Sequence, residues 1–386
     1  MPCLNLPPLP PGLWRVMLST ALVVLAFSLL SPVLAVRLQT AGVSGTAIGT
    51  FAMLSFLSVA LLIPVVPHVF ARIGVGQAYR LGLALELIAC LGYLLTDNYT
   101  LWCALGVLGG VGAAAAWNAT EALIAHNVPA SHRGRLTGLY QAILGAGMAI
   151  GPFLPGLLGL GPLQANAVAA TGLALGLSLT LTPTVGQLKA MHADREPMSM
   201  LAAWRFRPVL VWAAIVGGVF EVGLGTITTA YGSQIGLNLA AATSIAGALG
   251  MGSFTLQYPL GWLADHVASR RLFAIGAVVL AISGVAFTFA SQWPALIWVC
   301  AALWGAVGGA LYTLSMIRVA HDFADSSALA GTSAMIAGYT IGGSVGPLVS
   351  GWVFDHVGVL GQGCWLTVLA LSLLWLQRQP TLGSNA

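Results

Sequence analysis

The chain is a succession of long apolar runs separated by short polar stretches. A helix needs roughly 20 apolar residues to cross a hydrocarbon layer about 30 Å thick. Runs of that kind occupy residues 13–36, 46–70, 78–95, 100–126, 136–158 and 163–181, and after a polar stretch 208–231, 239–264, 272–290, 294–319, 327–354 and 359–376. The pattern predicts an all-α membrane protein of twelve transmembrane helices, six on either side of the polar stretch. The first run is too long for the core of a secretory signal and has no basic region ahead of it, so it is expected to remain as a span.

Local signals support these boundaries. Asn98 is placed to cap the fourth helix, Pro208 and Pro294 suit first-turn positions where no backbone N–H is needed, and Pro183 is expected to close the sixth span. Pro152, Pro155 and Pro347 fall inside runs and mark bends, since neighbouring groups can satisfy the carbonyls they free.

Composition changes the picture in one direction only. Of 386 residues, 58% are hydrophobic and 6% charged, with a mean hydropathy of +0.92, whereas soluble domains run near a quarter charged. That is too little charge to cover a water-facing surface, so the lipid bilayer is the expected partner of the outer face. The net charge of +4 is scattered singly and forms no basic stripe, which excludes a nucleic-acid partner. Cys3, Cys90, Cys103, Cys300 and Cys364 are an odd set, and four of them lie in apolar runs where a thiol acts as a small hydrophobe, so no disulfide framework is expected.

Charge also orients the spans. With the N-terminus inside, Arg15, Arg72, Arg80, Arg133, Arg135, Lys189, Arg195, Arg205, Arg207, Arg270, Arg271, Arg318 and Arg378 fall on the cytoplasmic side, and Arg37 alone falls outside. One register therefore accounts for thirteen of the fourteen basic residues. It places both termini in the cytoplasm and the chain in the cytoplasmic (inner) membrane. Residues 1–182 are expected to form one six-helix bundle and residues 208–386 a second. The polar stretch 183–207, with Lys189, Asp194, Arg195, Glu196, Arg205 and Arg207, is too short to fold alone and reads as a cytoplasmic linker.

The two halves carry related segments. Gly261-Trp-Leu-Ala-Asp265-His-Val-Ala-Ser-Arg270-Arg271 follows the eighth span and Pro67-His-Val-Phe-Ala71-Arg72-Ile-Gly74 the second, displaced by 194 residues. Gly147-Met-Ala-Ile-Gly151-Pro152-Phe-Leu-Pro155-Gly156 in the fifth span matches Gly342-Gly-Ser-Val-Gly346-Pro347-Leu-Val-Ser350-Gly351 in the eleventh, displaced by 195. Two unrelated motifs recurring at nearly one spacing argue for a duplicated six-helix unit, and so for transport by two bundles that rock about a shared centre.

From residue 13 to residue 376 this arrangement resembles the major facilitator superfamily. The family's loop signature is matched by Gly261, Asp265, Arg270 and Arg271, a segment whose family counterpart latches the halves together on the cytoplasmic side. The first-half copy keeps only Arg72 and Gly74, with Ala71 in place of the family's Asp. The fifth-span run resembles the family's antiporter motif through Gly147, Gly151, Pro152 and Gly156. Pro155 is its single departure. The Arg that proton-coupled members carry in the fourth span is absent between Trp102 and Asn118. Glycines at four-residue spacing, Gly338, Gly342 and Gly346 included, also have an ordinary reading as close helix packing.

Three acids lie within spans: Glu86, Glu121 and Glu221. An ionised carboxylate in mid-membrane costs about 2.5 kcal/mol or more, so such groups face a cavity or a partner and are the first candidates for binding substrate or a proton. Glu221 stands near the middle of the seventh span, ahead of Thr226, Thr228, Thr229 and Tyr231. It suits either proton exchange or pairing with a cationic solute. Glu121 shares a side of its helix with Trp117 and Asn118, or else pairs with Arg133 or Arg135. Glu86, in the third span, has an interhelical hydrogen bond as its alternative. By resemblance, spans one, four, seven and ten line the path, which adds Ser28, Ser31, Trp304 and Tyr312 to Trp117, Asn118, Thr228 and Tyr231 as cavity-lining candidates.

No His or Cys cluster has metal-ligand spacing, and no phosphate loop, dinucleotide fingerprint or nucleophile elbow occurs in a suitable context. The sequence therefore predicts no metal, no cofactor and no enzymatic activity, and uphill movement must draw on an ion gradient. The leading expectation is a monomeric, proton-linked exporter of a small organic solute. Its alternatives are a uniporter or proton symporter for uptake, and a membrane scaffold or receptor that transports nothing.

Overall fold

A computed structural model describes residues 11–62, 65–128, 130–186, 188, 207–322 and 325–378. Among them every regular element is helical. The chain runs through α1 (Pro11–Thr40), α2 (Gly45–Leu62), α3 (Val66–Ile73), α4 (Val75–Leu95), α5 (Tyr99–Asn127) and α6 (Ala130–Ile150). A 3₁₀ turn, Gly151–Phe153, leads to α7 (Leu154–Leu157), then α8 (Pro162–Thr180) and α9 (Pro183–Gly186). After the linker come α10 (Pro208–Gly218), a π turn (Val219–Gly223), α11 (Leu224–Gln234), α12 (Leu239–His266), α13 (Ser269–Phe287), α14 (Leu296–Asp322) and α15 (Asp325–Arg378).

Ten of the described helical stretches are long and apolar enough to cross a membrane. Two more spans complete the set. The first is α6, whose opening turns carry Arg133 and Arg135. The second comes from α15, which is two spans joined at Gly358, where φ is +71° and ψ is −158°. Only glycine holds that backbone without strain, so the eleventh span ends and the twelfth begins there. The twelve-span, all-α architecture expected from the sequence is the one the chain adopts. Most of the linker, including Lys189, Asp194, Arg195, Glu196 and Arg205, lies outside the described residues, as does Cys3.

Boundary signals act where they are local. Asn98 accepts a hydrogen bond from the Leu101 amide at 3.1 Å and caps α5, and Pro208 opens α10. Pro152 sits in the 3₁₀ turn and Pro155 in α7, where the fifth span bends. One expectation differs. Pro294 lies in the turn before α14, which begins at Leu296. Pro183 stands two residues beyond Leu181, the C-cap of α8, where a proline stops a helix, and it also opens α9. Arg80 reaches across from α4 and donates to the carbonyls of Thr180 and Thr182 at 2.8 and 2.9 Å, satisfying chain-end acceptors that a longer helix would have used.

The chain divides into two compact units, residues 1–30 with 54–194 and residues 31–53 with 195–386. In the first, α4 and α5 cross where Gly82 meets Gly112: a Cβ on Gly82 would stand 2.6 Å from the Gly112 carbonyl oxygen. Beside that crossing lies a knot of buried hydroxyls. Tyr79 donates to Ser19 at 3.0 Å, while Thr20 bonds Tyr79 at 2.9 Å and Thr120 at 3.2 Å, binding α1, α4 and α5. In the second unit, Phe220, Phe287 and Trp304 form an aromatic core with ring centroids 5.0 and 6.2 Å from the tryptophan. The Trp304 indole N–H donates to Ser283 at 3.0 Å, so this large side chain is wholly buried with its polar atom satisfied.

Candidate functional site

The seventh span is interrupted at its middle. Between α10 and α11 the chain makes one wide π turn, Val219–Gly223, flanked by Gly217, Gly218 and Gly225 and ending on Gly223. Such turns insert one extra residue into a helix and often mark functional positions. Here the turn presents Glu221.

Its carboxylate is held from two neighbouring helices. Ser253 of α12 donates to Oε1 at 2.5 Å, and the Tyr339 hydroxyl of α15 donates to Oε2 at 2.9 Å. From a third helix, α14, comes space: a Cβ on Gly309 would stand 2.6 Å from Oε1, and one on Gly308 would stand 2.8 Å from the Glu221 amide nitrogen. The glycine pair thus admits both the wide turn and the side chain it carries. Beside the carboxylate, the ring of Tyr339 meets that of Tyr312, with centroids 4.4 Å apart and planes inclined by 39°. Glu221, Ser253, Tyr312 and Tyr339 are all half-buried. The arrangement is a carboxylate with two neutral hydroxyl donors next to an aromatic pair. It can take up a proton, or receive a cation between the carboxylate oxygens and the ring faces.

Other sequence candidates are distributed differently. Tyr312 is the expected path residue brought against this site. Thr228 is buried and bonds the Leu224 carbonyl of its own helix at 2.7 Å. Tyr231 stacks on Phe354 with centroids 5.1 Å apart. Trp304 belongs to the aromatic core already described, and Ser31 is half-buried.

In the first unit, Trp117 donates its indole N–H to Glu121 Oε1 at 2.7 Å, and both side chains are exposed. Asn118 turns back to the Ala114 carbonyl at 2.8 Å. The side chains of Arg133 and Arg135 lie outside the described set. Glu86 is buried at the α4–α5 crossing, and among the described residues its Oε1 finds no hydrogen-bond partner. Ser28 is buried and donates to the Gly147 carbonyl at 2.8 Å, and Gly151 lies against Ser28, so the fifth-span motif packs α6 onto α1. Pro152 is buried and Gly156 exposed.

Of the loop residues, Arg72 and Gly74 are exposed at the end of α3, where Gly74 has a φ of +81° and ends the helix. Arg270 and Arg271 are exposed in the first turn of α13. Gly261 falls within α12, and the Asp265 side chain lies outside the described set.

Ser253, Gly309 and Tyr339 were not expected from the sequence. Serine and tyrosine occur throughout membrane helices, and the resemblance drew attention away from spans eight and eleven. The usable signal was the adjacent pair Gly308 and Gly309 in the tenth span, one helix away from a lone mid-membrane acid.

Comparison with known proteins places the chain in a family. A family profile described as Major Facilitator Superfamily matches residues 16–256 and 210–381. Among curated relatives, the uncharacterized MFS-type transporter YfkF of Bacillus subtilis (strain 168) is 24% identical over 361 residues, 90% of each chain. The uncharacterized MFS-type transporter YcaD of Escherichia fergusonii is 26% identical over 298 residues, 75% of each. Among solved structures, the nucleoside transporter NupG aligns with a TM-score of 0.76 at 12% identity, over 96% of this chain and all of that one. A D-xylose-proton symporter aligns with a TM-score of 0.72 at 14% identity, over 97% of this chain and 99% of that one. The profile spans nearly every helix described above and the solved structures share their fold, so the chain is a multi-pass membrane transporter and belongs to the Major Facilitator Superfamily.

Proposed function

We propose that the protein moves a small organic solute across the cytoplasmic membrane by alternating access, as an exporter driven by protons, with Glu221 as the group that takes up and releases the proton. The single observation that carries this reading is the setting of Glu221: a half-buried carboxylate on a wide turn in mid-span, held by two hydroxyls. A carboxylate so placed can be held in either charge state, because its donors are neutral hydroxyls that both donate and accept. The adjacent tyrosine rings favour a solute with an apolar or weakly cationic body. The fifth-span motif, by resemblance to antiporters, favours outward movement.

A second reading is proton symport or facilitated uptake. It is favoured by the missing fourth-span arginine, and by the shared fold of a solved D-xylose-proton symporter. The remaining proposals are that residues 1–182 and 208–386 act as the two rocking bundles, that both termini lie in the cytoplasm, and that the monomer carries no cofactor and catalyses no covalent chemistry.

Reconstituted vesicles test the coupling. With a proton gradient imposed across proteoliposomes, wild-type protein is expected to move solutes drawn from an organic-cation and metabolite panel, and Glu221→Gln to lose gradient-driven flux at least tenfold while still folding. Gradient-driven flux that survives Glu221→Gln sinks the coupling role. Solute accumulation rising in a deletion strain indicates export, and falling indicates uptake.

A further inference from the structure

The heptapeptide Gly-Trp-x-x-Asp-His-Val occurs twice, at residues 261–267 and at residues 351–357. The first copy ends the eighth span and belongs to the loop signature. The second ends the eleventh span, just before Gly358. Eight is even and eleven odd, so the two copies stand on opposite membrane faces.

Local structure is alike in both. Trp262 stacks on His266 with centroids 4.4 Å apart, and His266 Nδ1 lies 2.7 Å from the Trp262 carbonyl. Trp352 stacks on His356 at 4.6 Å, and His356 Nδ1 lies 2.8 Å from the Trp352 carbonyl. This clasp fixes one face of each helix end, and in the second copy Asp355 stands exposed beside it.

What the second copy's aspartate grips is defined. Asp355 Oδ1 accepts from the Gly45 amide at 2.8 Å, and Oδ2 accepts from the Thr46 amide at 2.7 Å and the Thr46 hydroxyl at 2.6 Å. Gly45 and Thr46 are the first two residues of α2. Asp355 therefore supplies, from a helix more than 300 residues away in sequence, the N-terminal anion that a helix start favours. Glycines let the backbones meet: a side chain on Gly351 would strike the Gly45 carbonyl, and one on Gly49 would strike the Pro347 carbonyl.

We propose that Asp355, the first turn of α2 and the Gly351 contact form an outer latch, the counterpart on the far face of the cytoplasmic loop signature, which holds the ends of α2 and the eleventh span together and must release for the path to open on that side. Three hydrogen bonds to one exposed carboxylate suit this task. They are charge-assisted while they are aligned, and because the carboxylate is exposed, water can replace them one at a time as the helices part. The inference rests on the alternating-access reading, but its test measures conformation without substrate, so the two fail independently.

Spin labels at Ala41→Cys and Leu360→Cys, in a chain whose five native cysteines are replaced, report the separation of the two helix ends in nanodiscs. With Asp355 intact, one short distance should dominate. Asp355→Asn and Asp355→Ala should each raise the ratio of long to short distances roughly tenfold, the scale of a lost helix cap. Thr46→Val, which keeps both amide donors, should give a smaller rise and serves as the test if an Asp355 variant does not fold. An unchanged distance distribution in all folded variants, with or without a lower melting temperature, makes Asp355 a plain helix cap and overturns the latch.

Discussion

Glu221 is bonded to hydroxyls, which do not compel it to remain ionised as a guanidinium partner would. Ser253 and Tyr339 accept either charge state of the acid because a hydroxyl both donates and accepts. The position of the acid is set by what is missing from Gly309, whose hydrogen faces Oε1. Gly309→Ala would place a methyl 2.6 Å from that oxygen and force the carboxylate out of its bonds. The expected result is a loss of flux of tenfold or more with a stability cost of about 1 to 3 kcal/mol, the usual scale for overpacking. Flux and thermal melting of the purified variant check this, and wild-type flux would show that the carboxylate's place is unimportant. Gly225, where a Cβ meets nothing within 4 Å, is the matched control.

At the scale of elements, the start of α2 depends on a residue from α15, and that dependence has a pH signature. Partial burial alone would push the Asp355 carboxyl up, but the bonds from Thr46 and Gly45, with the His356 imidazole nearby, outweigh it and hold the group below its ordinary 3.8. A carboxyl lowered on folding contributes stability that is complete above the ordinary value and is lost as pH falls through the folded one. The latch should therefore be intact from neutrality down to about pH 4 and weaken below it, with a matching fall in melting temperature that Asp355→Asn removes. An identical acid dependence in Asp355→Asn would assign the effect elsewhere.

Elements also divide what the sequence disclosed from what it withheld. Asn98 and Pro208 were legible because a cap or a first-turn proline acts within three or four residues. The partner of the Thr180 carbonyl at the end of α8 was not legible, because its donor is Arg80, a hundred residues earlier. Glu221 stood out as a lone acid in an apolar run, whereas Ser253 and Tyr339 join it only because α12 and α15 pack beside the π turn. The turn itself needs Gly308 on a facing helix, a condition no local pattern records.

For the whole molecule, the basic residues predict which face each loop occupies. Leu360→Cys should react with a membrane-impermeant thiol reagent in intact cells, and Arg271→Cys only after permeabilisation, if the eleventh span ends outside and the eighth inside as the proposed orientation requires. The opposite pattern would invert the topology and with it the side on which Asp355 acts. The wide turn at Val219–Gly223 carries a consequence at this scale too. Each residue of an α-helix advances about 100° around its axis. If the surplus residue were absorbed into ordinary winding, everything beyond it would revolve by about that angle, and the acid would sweep from one wall of neighbours to another. The seventh span has in that sense the build of a crankshaft: rewinding one residue at its centre would turn bond exchange at a single carboxyl into rotation of half a helix.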